Sequence, residues 1–206
     1  MIAANYLANF GVAVSVIEKK SYPFHRVCGE YISNETIPFL RKLNLYPEEF
    51  NPPIIKKLQL TSVNGNSALI DLDLGGFGIS RYTLDNFLYQ KAKAKGVEFF
   101  LNTEIEQITF SENQFVLKSS SREWNAFAVI GSFGKRSKLD VTMRRDYMKA
   151  RSPYLAVKYH VRTDHPTDLI ALHNFKDGYC GISQIEDKKY TVCYLSHRKN
   201  LKEWGS

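Results

Sequence analysis

The chain has 206 residues, of which 44% are hydrophobic and 13% aromatic, and this composition excludes an intrinsically disordered protein. The formal net charge of +7 is spread along the chain and is not gathered in one block. It therefore argues against a nucleic-acid-binding protein and leaves two explanations, a solvated surface or a phosphate-bearing cofactor.

The cysteines and the hydropathy indicate the cellular compartment of the protein. Three cysteines without CxxC or Cys/His spacing predict neither a disulfide framework nor a metal site, which fits a reducing cytoplasm. No apolar run approaches the roughly 20 residues of a membrane-spanning helix, and the first residues carry no export signal. We therefore expect a soluble cytoplasmic protein, for which peripheral membrane association and the oligomeric state stay open.

The first elements predict one half of a βαβ unit. Residues 2–10 have the small-residue face of a helix that ends at Gly11, and residues 12–17 form a nearly all-apolar run. Such a run is typical of a strand buried on both faces, as in a parallel sheet. The pattern begins with the helix, so we expect the first strand and the glycine loop of a Rossmann-like fold to be missing.

The later patterns predict hairpins, helices and an antiparallel sheet. An Asn-Gly pair at 64–65 between two runs of alternating apolar and polar residues is a strong hairpin signal. Gly75, Gly76 and Gly78 predict the end of this hairpin. Helical spacing of apolar residues predicts a helix with Thr83 as a possible N-cap. The predicted helices are 35–43 and 83–95, and the predicted strands are 57–62, 67–72, 97–101, 105–110, 114–118, 126–130, 154–161, 169–175, 179–185 and 190–195.

Glu18 follows the first predicted strand and is the first candidate site residue. An acid at the carboxyl end of the second strand of a dinucleotide-binding fold accepts hydrogen bonds from the hydroxyls of an adenosine ribose. The other interpretation is a solvent-exposed glutamate beside Lys19 and Lys20. The residues themselves leave both interpretations open.

Three runs of sequence resemble, in order, the flavoprotein monooxygenase and geranylgeranyl reductase superfamily. They are VAVSVIEKKSYPFHRVCGEYIS at 12–33, ISRYTLDNFLYQKAKAKGVEF at 79–99 and VIGSFGKRSKLD at 129–140. The resemblance covers most of residues 1–140 and implies a chain truncated at both ends. It implies an α/β fold with a partial Rossmann-like FAD-binding domain, formed by 1–50 and 81–150, and an antiparallel β substrate domain, formed by 51–80 and 151–206.

The resemblance also implies which residues contact FAD. The arginine that matches Arg26 lies near the adenine and pyrophosphate, the Cys28-Gly29 pair lies near the flavin ring, and Arg81 contacts the cofactor where the chain re-enters the FAD domain. Each has a second interpretation, an exposed cation for the arginines and a small buried thiol for Cys28. The full predicted set of cofactor-binding residues is Glu18, Lys19, Arg26, Cys28, Gly29, Arg81, Gly131 and Gly134.

The run at 131–137 departs from the family pattern. It stands where the family has a Gly-Asp-Gly motif that contacts both FAD and a nicotinamide cofactor, and here Phe133 replaces the aspartate. The replacement removes a hydrogen-bond acceptor at the cofactor edge, while Gly134 keeps the backbone position that permits close approach. Asp85 matches a family acid and is also suited to complement the positive end of its helix.

The implied reaction is hydride transfer from NAD(P)H to FAD, followed by hydroxylation or alkene reduction of an apolar, aromatic or isoprenoid-like small molecule. Because the cofactor carries such chemistry, we assign no catalytic acid or base. The alternative is a noncatalytic flavoprotein remnant that does not retain FAD, since the phosphate-binding glycine loop is missing, and we expect FAD binding to be weak or absent. A nucleic-acid-binding module is a third possibility, suggested by charge alone.

Overall fold

The computed structural model describes residues 1–134, 137–149 and 152–200, which form two compact units. Unit 1 comprises Met1–Val12, Tyr22–Gly96 and the described part of 153–206, and unit 2 comprises Ala13–Ser21 and the described part of Val97–Ser152. The predicted FAD and substrate domains group the segments differently, because they are defined by ligand role and not by compactness. That division stays a prediction.

The helices and strands follow the predicted order closely. The strands at Tyr154–Val161 and Leu169–Phe175 have the predicted bounds, and the two after them differ by at most two residues at either end. The helices are α1 Ile2–Ala8, α2 Ile37–Lys42, α3 Arg81–Ala94 and α4 Lys138–Thr142. The strands are β1 Ser15–Ile17, β2 Tyr31–Ser33, β3 Ile54–Thr61, β4 Ser67–Gly78, β5 Glu98–Phe100, β6 Gln107–Ser111, β7 Gln114–Lys118, β8 Glu123–Ala126, β9 Tyr154–Val161, β10 Leu169–Phe175, β11 Gly178–Gln184 and β12 Tyr190–His197.

A seven-stranded sheet forms the framework of unit 1, in the order β2-β4-β3-β10-β11-β12-β9. Strands β10, β11, β12 and β9 pair antiparallel, as their alternation predicts, and the α/β fold class is confirmed. Strand β10 is parallel to β3, which differs from a wholly antiparallel sheet. A long connection separates these two strands, so no tight turn forces them to run in opposite directions.

Strand β4 ends at Gly78, one of the glycines predicted to end the hairpin, whereas Gly75 and Gly76 lie inside the strand, so the prediction is wrong for these two. A Cβ atom on Gly76 would lie 2.3 Å from the ring of Tyr31, and one on Gly78 would lie 1.9 Å from the carbonyl oxygen of Gln184. These positions need glycine because other parts of unit 1 approach the backbone closely. Strand β4 therefore continues into the core instead of turning away from it.

The core of unit 1 brings α3 against the buried end of β4. Leu84, Phe87 and Leu88 recur at the spacing of one helix face and pack with Phe77 and Ile79. The same cluster includes leucines from α2 and the loop after it: Leu40, Leu43 and Leu45. This packing sets the position of the first turn of α3, where the candidate site residue Arg81 lies.

Unit 2 contains two small sheets. Strand β1 pairs parallel with β5, and β6, β7 and β8 form an antiparallel meander that confirms the second predicted hairpin. The predicted buried strand at 126–130 is wrong: the strand ends at Ala126, Phe127 is 82% exposed, and no described strand pairs with 127–130. The predicted strand at 12–17 is shorter, beginning at Ser15, and Val12 is exposed. An apolar run forms a strand only where a neighbouring strand supplies hydrogen-bond partners for its backbone.

None of the described helices combines the length and the apolar character needed to cross a membrane.

Candidate functional site

The first turn of α3 is capped by a buried acid from a distant segment. The helix begins at Arg81 with Ser80 as its N-cap, so the interpretation of Thr83 as the N-cap is wrong. Glu186 accepts hydrogen bonds from the Ser80 N–H at 2.7 Å, from the Ser80 hydroxyl at 2.5 Å and from the Thr83 hydroxyl at 2.7 Å. A buried carboxylate at this end is favourable because it meets unpaired N–H groups and the positive end of the helix dipole.

Two predicted cofactor residues converge on Asp85. Arg81 donates two hydrogen bonds of 2.8 Å to the Asp85 carboxylate, and Arg26 lies 3.3 Å from the same group. Burial alone would lower the pKa of Arg81, but the hydrogen bonds and charge of Asp85, with a smaller contribution from Cys28, raise it. Arg26 also lies over the ring of Phe24, 4.4 Å from its centroid. Asp85 therefore orients both guanidinium groups.

The loop that carries Cys28 and Gly29 ends at a residue with a left-handed backbone. Glu30 has a φ of +55°, and its N–H lies 3.5 Å from the Cys28 sulfur, which accepts a weak hydrogen bond. A Cβ atom on Gly29 would meet nothing within 4 Å, so the backbone there is open to a ligand. The loop thus offers an unobstructed backbone next to a half-buried thiol.

Glu30 itself is at the centre of a buried charge cluster. Its side chain is 0% exposed and accepts from Lys158 Nζ at 2.5 Å, His160 Nε2 at 2.6 Å and the Arg81 N–H at 2.8 Å. Lys158 and His160 lie two residues apart on β9, an edge strand, whereas Glu30 precedes β2 at the opposite edge of the sheet. The cluster therefore connects the loop at 26–30, the start of α3 and the last strand of the sheet.

In unit 2, Glu18 lies where the predicted ribose-binding acid should be, at the carboxyl end of β1. Its N–H donates to the Phe100 carbonyl at 3.0 Å, and its own carbonyl accepts from the Thr103 N–H at 3.0 Å. One carboxylate oxygen accepts the Lys20 N–H at 3.1 Å. Lys19 follows directly and is exposed.

Gly131 and Gly134 lie in unit 2, outside its helices and strands. Gly134 has a φ of +74°, and a Cβ atom there would meet nothing within 4 Å. At Gly131 an added Cβ would lie 2.9 Å from the Phe133 ring, so the residue that replaces the family aspartate folds back over the first glycine. Lys135 and Arg136, the two basic residues after Gly134, lie outside the described residues.

Within unit 1 the structure brings together Arg26, Cys28, Gly29 and Arg81, as a cofactor site would need. Sequence reasoning missed Glu30, Lys158 and Glu186, because their partners are remote in sequence. The one available signal for Glu30 is its place directly after the Cys28-Gly29 pair. His160, the other partner of Glu30 on β9, is equally remote in sequence.

The chemistry of this group fits an anionic cofactor. Arg26 and Arg81 carry two positive charges around the single negative charge of Asp85, and 40% and 34% of their side-chain surfaces stay accessible. Guanidinium groups bind phosphate oxygens through paired N–H donors. The residues present therefore suit the pyrophosphate of a dinucleotide such as FAD.

Comparison with known proteins gives a fold match and weak sequence similarity. No protein-family model matches the sequence. An uncharacterized protein of Methanosarcina barkeri is 24% identical over 146 residues, which are 64% of this chain and 34% of that protein. The chain thus spans about a third of this curated relative.

Solved structures of flavin-dependent enzymes match almost the whole chain. A flavoprotein/dehydrogenase from Cytophaga hutchinsonii superposes with a TM-score of 0.77, at 16% identity, over 100% of this chain and 55% of its own. PqsL of P. aeruginosa, in complex with 2-aminobenzoylacetate, gives 0.75 at 15% identity over 98% of this chain and 59% of its own. The flavin-dependent brominase Bmp2 gives 0.74 at 16% identity, over 98% and 54%. The chain therefore has, over essentially its full length, the fold found in flavin-dependent oxidoreductases, and it spans little more than half of each.

Proposed function

We propose that this chain is part of an FAD-dependent oxidoreductase that uses NAD(P)H to hydroxylate or reduce an apolar small molecule. The observation that carries the proposal is the convergence of Arg26 and Arg81 on Asp85, beside Cys28, in a fold shared with flavin-dependent enzymes. Three of these four residues belong to the set that the family resemblance predicts for FAD.

The proposed roles follow from charge and position. Arg26 and Arg81 bind the pyrophosphate, because the surplus positive charge beside Asp85 attracts an anion. Glu18 accepts the ribose hydroxyls, Lys19 adds positive charge next to it, and the open backbone at Gly29 and Gly134 admits the cofactor closely. FAD, when bound, supplies the redox chemistry, while the protein binds, orients and excludes water.

An apolar substrate is supported by one face of the unit 1 sheet. Leu172 lies opposite Gly181, which lies opposite Cys193, and Cys193 lies opposite Lys158, so these side chains share a face. Tyr179, two residues before Gly181, lies on the same face and is 37% exposed. These residues form a row across the sheet that runs from Leu172 and Tyr179 to Lys158, which belongs to the buried cluster around Glu30. Such a surface would accommodate an aromatic or isoprenoid-like molecule.

A noncatalytic flavoprotein remnant is the second candidate. Phe133 occupies the place of the family aspartate, and its ring covers Gly131, where a cofactor would approach. In addition, both arginines already have a carboxylate partner in Asp85, so cofactor phosphates gain less from them. These observations favour a chain that keeps the fold without retaining FAD.

The test is FAD binding by the purified chain, measured by flavin fluorescence titration and by visible absorption after gel filtration. We expect weak but saturable binding, reduced by about a further tenfold or more in Arg81→Gln, because hydrogen bonds to charged groups contribute roughly 1.5–3 kcal/mol. Arg41→Gln is the matched control, since Arg41 is an exposed arginine of unit 1 that pairs with Glu48. No binding to the wild-type chain would sink the oxidoreductase proposal for this chain and support the remnant.

A second measurement separates the two reactions. With FAD bound, NADH and NADPH oxidation is followed with and without oxygen. Oxygen uptake coupled to a hydroxylated product supports hydroxylation, and saturation of a prenyl chain without oxygen supports reduction.

A further inference from the structure

A cavity of about 410 Å³ lies within unit 1, next to the Glu30 cluster. One wall is a stacked pair of rings, His25 and Tyr82, with centroids 4.7 Å apart and planes inclined by 27°. His160 meets His25 edge-on at 5.3 Å. Arg162 and Lys189 complete the lining on the side of β9 and the turn before β12. None of these residues belongs to the proposed FAD site.

The acids around this cavity already have their own donors. Glu186 takes three hydrogen bonds from the start of α3. The Asp187 carboxylate lies 3.3 Å from Lys189 Nζ, and the Asp187 carbonyl accepts one N–H of Arg162 at 3.3 Å. A guanidinium has five N–H donors, so this bond uses a small part of the capacity of Arg162. An added anion, in contrast, would meet the remaining N–H donors of Arg162 and would not have to displace a carboxylate from them.

The fixed charges of the Glu30 cluster and of the cavity lining cancel. Lys158 balances Glu30 in the buried cluster, and in the lining Arg162 and Lys189 balance Glu186 and Asp187. Beyond these, the guanidinium of Arg81 is held by Asp85. The thiols Cys28 and Cys193 also influence this region, and burial raises the pKa of Cys193, which keeps it uncharged at neutral pH. The net charge of the cavity lining is therefore set by its histidines.

We propose that this cavity binds a small oxyanion, a carboxylate or a phosphate group, through the guanidinium of Arg162 and a protonated His25. The His25 ring meets His160 edge-on, and Nε2 of His160 bonds Glu30, so the charge of a protonated His25 lies beside the buried cluster. Lys158 already neutralises Glu30, so this extra charge has no fixed counterion. A bound anion provides that counterion, and Arg162 supplies further N–H donors.

The affinity of the cavity for an anion should depend on pH through the protonation of His25. Burial, together with Lys158 and His160, lowers the pKa of His25, so the empty cavity holds a neutral His25 at neutral pH. An anion favours the protonated ring of His25 and raises its pKa. Affinity is then highest at low pH and falls about tenfold for each pH unit above the histidine pKa, if one proton is taken up with the anion.

The test is a titration of the histidine ring C–H signals by NMR on the intact chain. Inorganic phosphate and benzoate are added separately at pH 6 and pH 8, with sodium chloride holding the ionic strength constant. We expect saturable shifts of His25 and His160 and tighter binding at pH 6. The stronger ligand of the two identifies the oxyanion source as phosphate or carboxylate.

Variants distinguish this site from general attraction to a basic protein. Arg162→Gln should weaken binding about tenfold, as the loss of a charged hydrogen-bonding partner predicts. His25→Gln keeps a polar side chain but cannot take up a proton, so the difference between pH 6 and pH 8 should shrink. Lys56→Gln, an exposed change on β3, is the control and should have no effect.

Three results would overturn the proposal. They are the absence of shifts at His25 and His160 in the wild-type chain, equal affinity at both pH values for benzoate, which is singly charged at both, or equal weakening by Lys56→Gln and Arg162→Gln. Circular dichroism checks that each variant is folded, and the wild-type titration decides the question even if a variant is not. None of these measurements uses FAD, so they are independent of the proposed oxidoreductase function.

Discussion

At the scale of the residue, Glu30 carries more of the structure than its neighbours in sequence. Its carboxylate has no exposed surface and meets Lys158, His160 and the Arg81 N–H. Two charges taken out of water are favourable only while they stay paired. Glu30 therefore joins three segments that are remote in sequence, and its loss would leave Lys158 charged and buried.

We expect Glu30→Gln to lower the free energy of unfolding by about 3 kcal/mol, because removing one partner of a buried pair leaves the other uncompensated. Urea unfolding followed by circular dichroism measures the loss. Glu35→Gln, an exposed change five positions away, should cost less than about 0.5 kcal/mol. The double variant Glu30→Gln with Lys158→Met should recover much of the stability, and equal losses in Glu30→Gln and Glu35→Gln would contradict this account.

At the scale of the element, the end of β4 is shaped by what packs against it. The strand runs to Gly78, and α3 begins three residues later at Arg81, so the two elements are joined almost directly. Gln184 comes so close to Gly78 that no side chain fits there. This close approach holds the start of α3, with Arg81, near Glu186 and Glu30.

Gly78→Ala should therefore lower the free energy of unfolding by at least about 2 kcal/mol, because the added methyl group would overlap the Gln184 carbonyl oxygen. Gly29→Ala is the matched control: its Cβ would meet nothing within 4 Å, and we expect a change within about 0.5 kcal/mol. Thermal and urea unfolding compare the two. A Gly78 variant as stable as the wild type would show that the backbone has room to move.

At the scale of the whole molecule, the two units differ in how much apolar surface they bury. Unit 1 has a cluster of eight buried apolar residues that includes Leu45, which is 0% exposed. In β6–β8 of unit 2, Leu117 is the one buried apolar residue among those described, and Phe110 is 60% exposed. Regions with few buried contacts open at lower free energy.

We expect amides of β6–β8 to exchange hydrogen faster than those of α3 and β4. Leu45→Ala should cost about 2–5 kcal/mol, as large-to-small core changes do, and should speed exchange in α3 and β4. Exchange in β6–β8 should change little. Mass spectrometry of peptic fragments gives both rates, and equal acceleration in the two units would mean that they unfold as one.

Much of the secondary structure was determined by the sequence alone, because its signals are local. The alternation of residues predicted β9 and β10 at their observed bounds, and helical spacing predicted α3 to within two residues of its start. The resemblance implied the fold that the solved flavin-dependent enzymes share with this chain. Where the pattern needed a partner strand, as at 126–130, it was wrong, because hydrogen-bond pairing is not written into one strand.

The candidate site, too, was predicted from the sequence in part and decided by the tertiary structure in part. The sequence marked Arg26, Cys28 and Arg81 as one group, but only the tertiary structure decided that Asp85 pairs with both arginines. The partners of Glu30 on β9 lie 128 and 130 residues away, and the acid that caps α3 lies 106 residues beyond Ser80. A sequence specifies local periodicity and residue chemistry directly. Which charges meet depends on how the sheet brings distant segments together, and that is decided only when the whole chain packs.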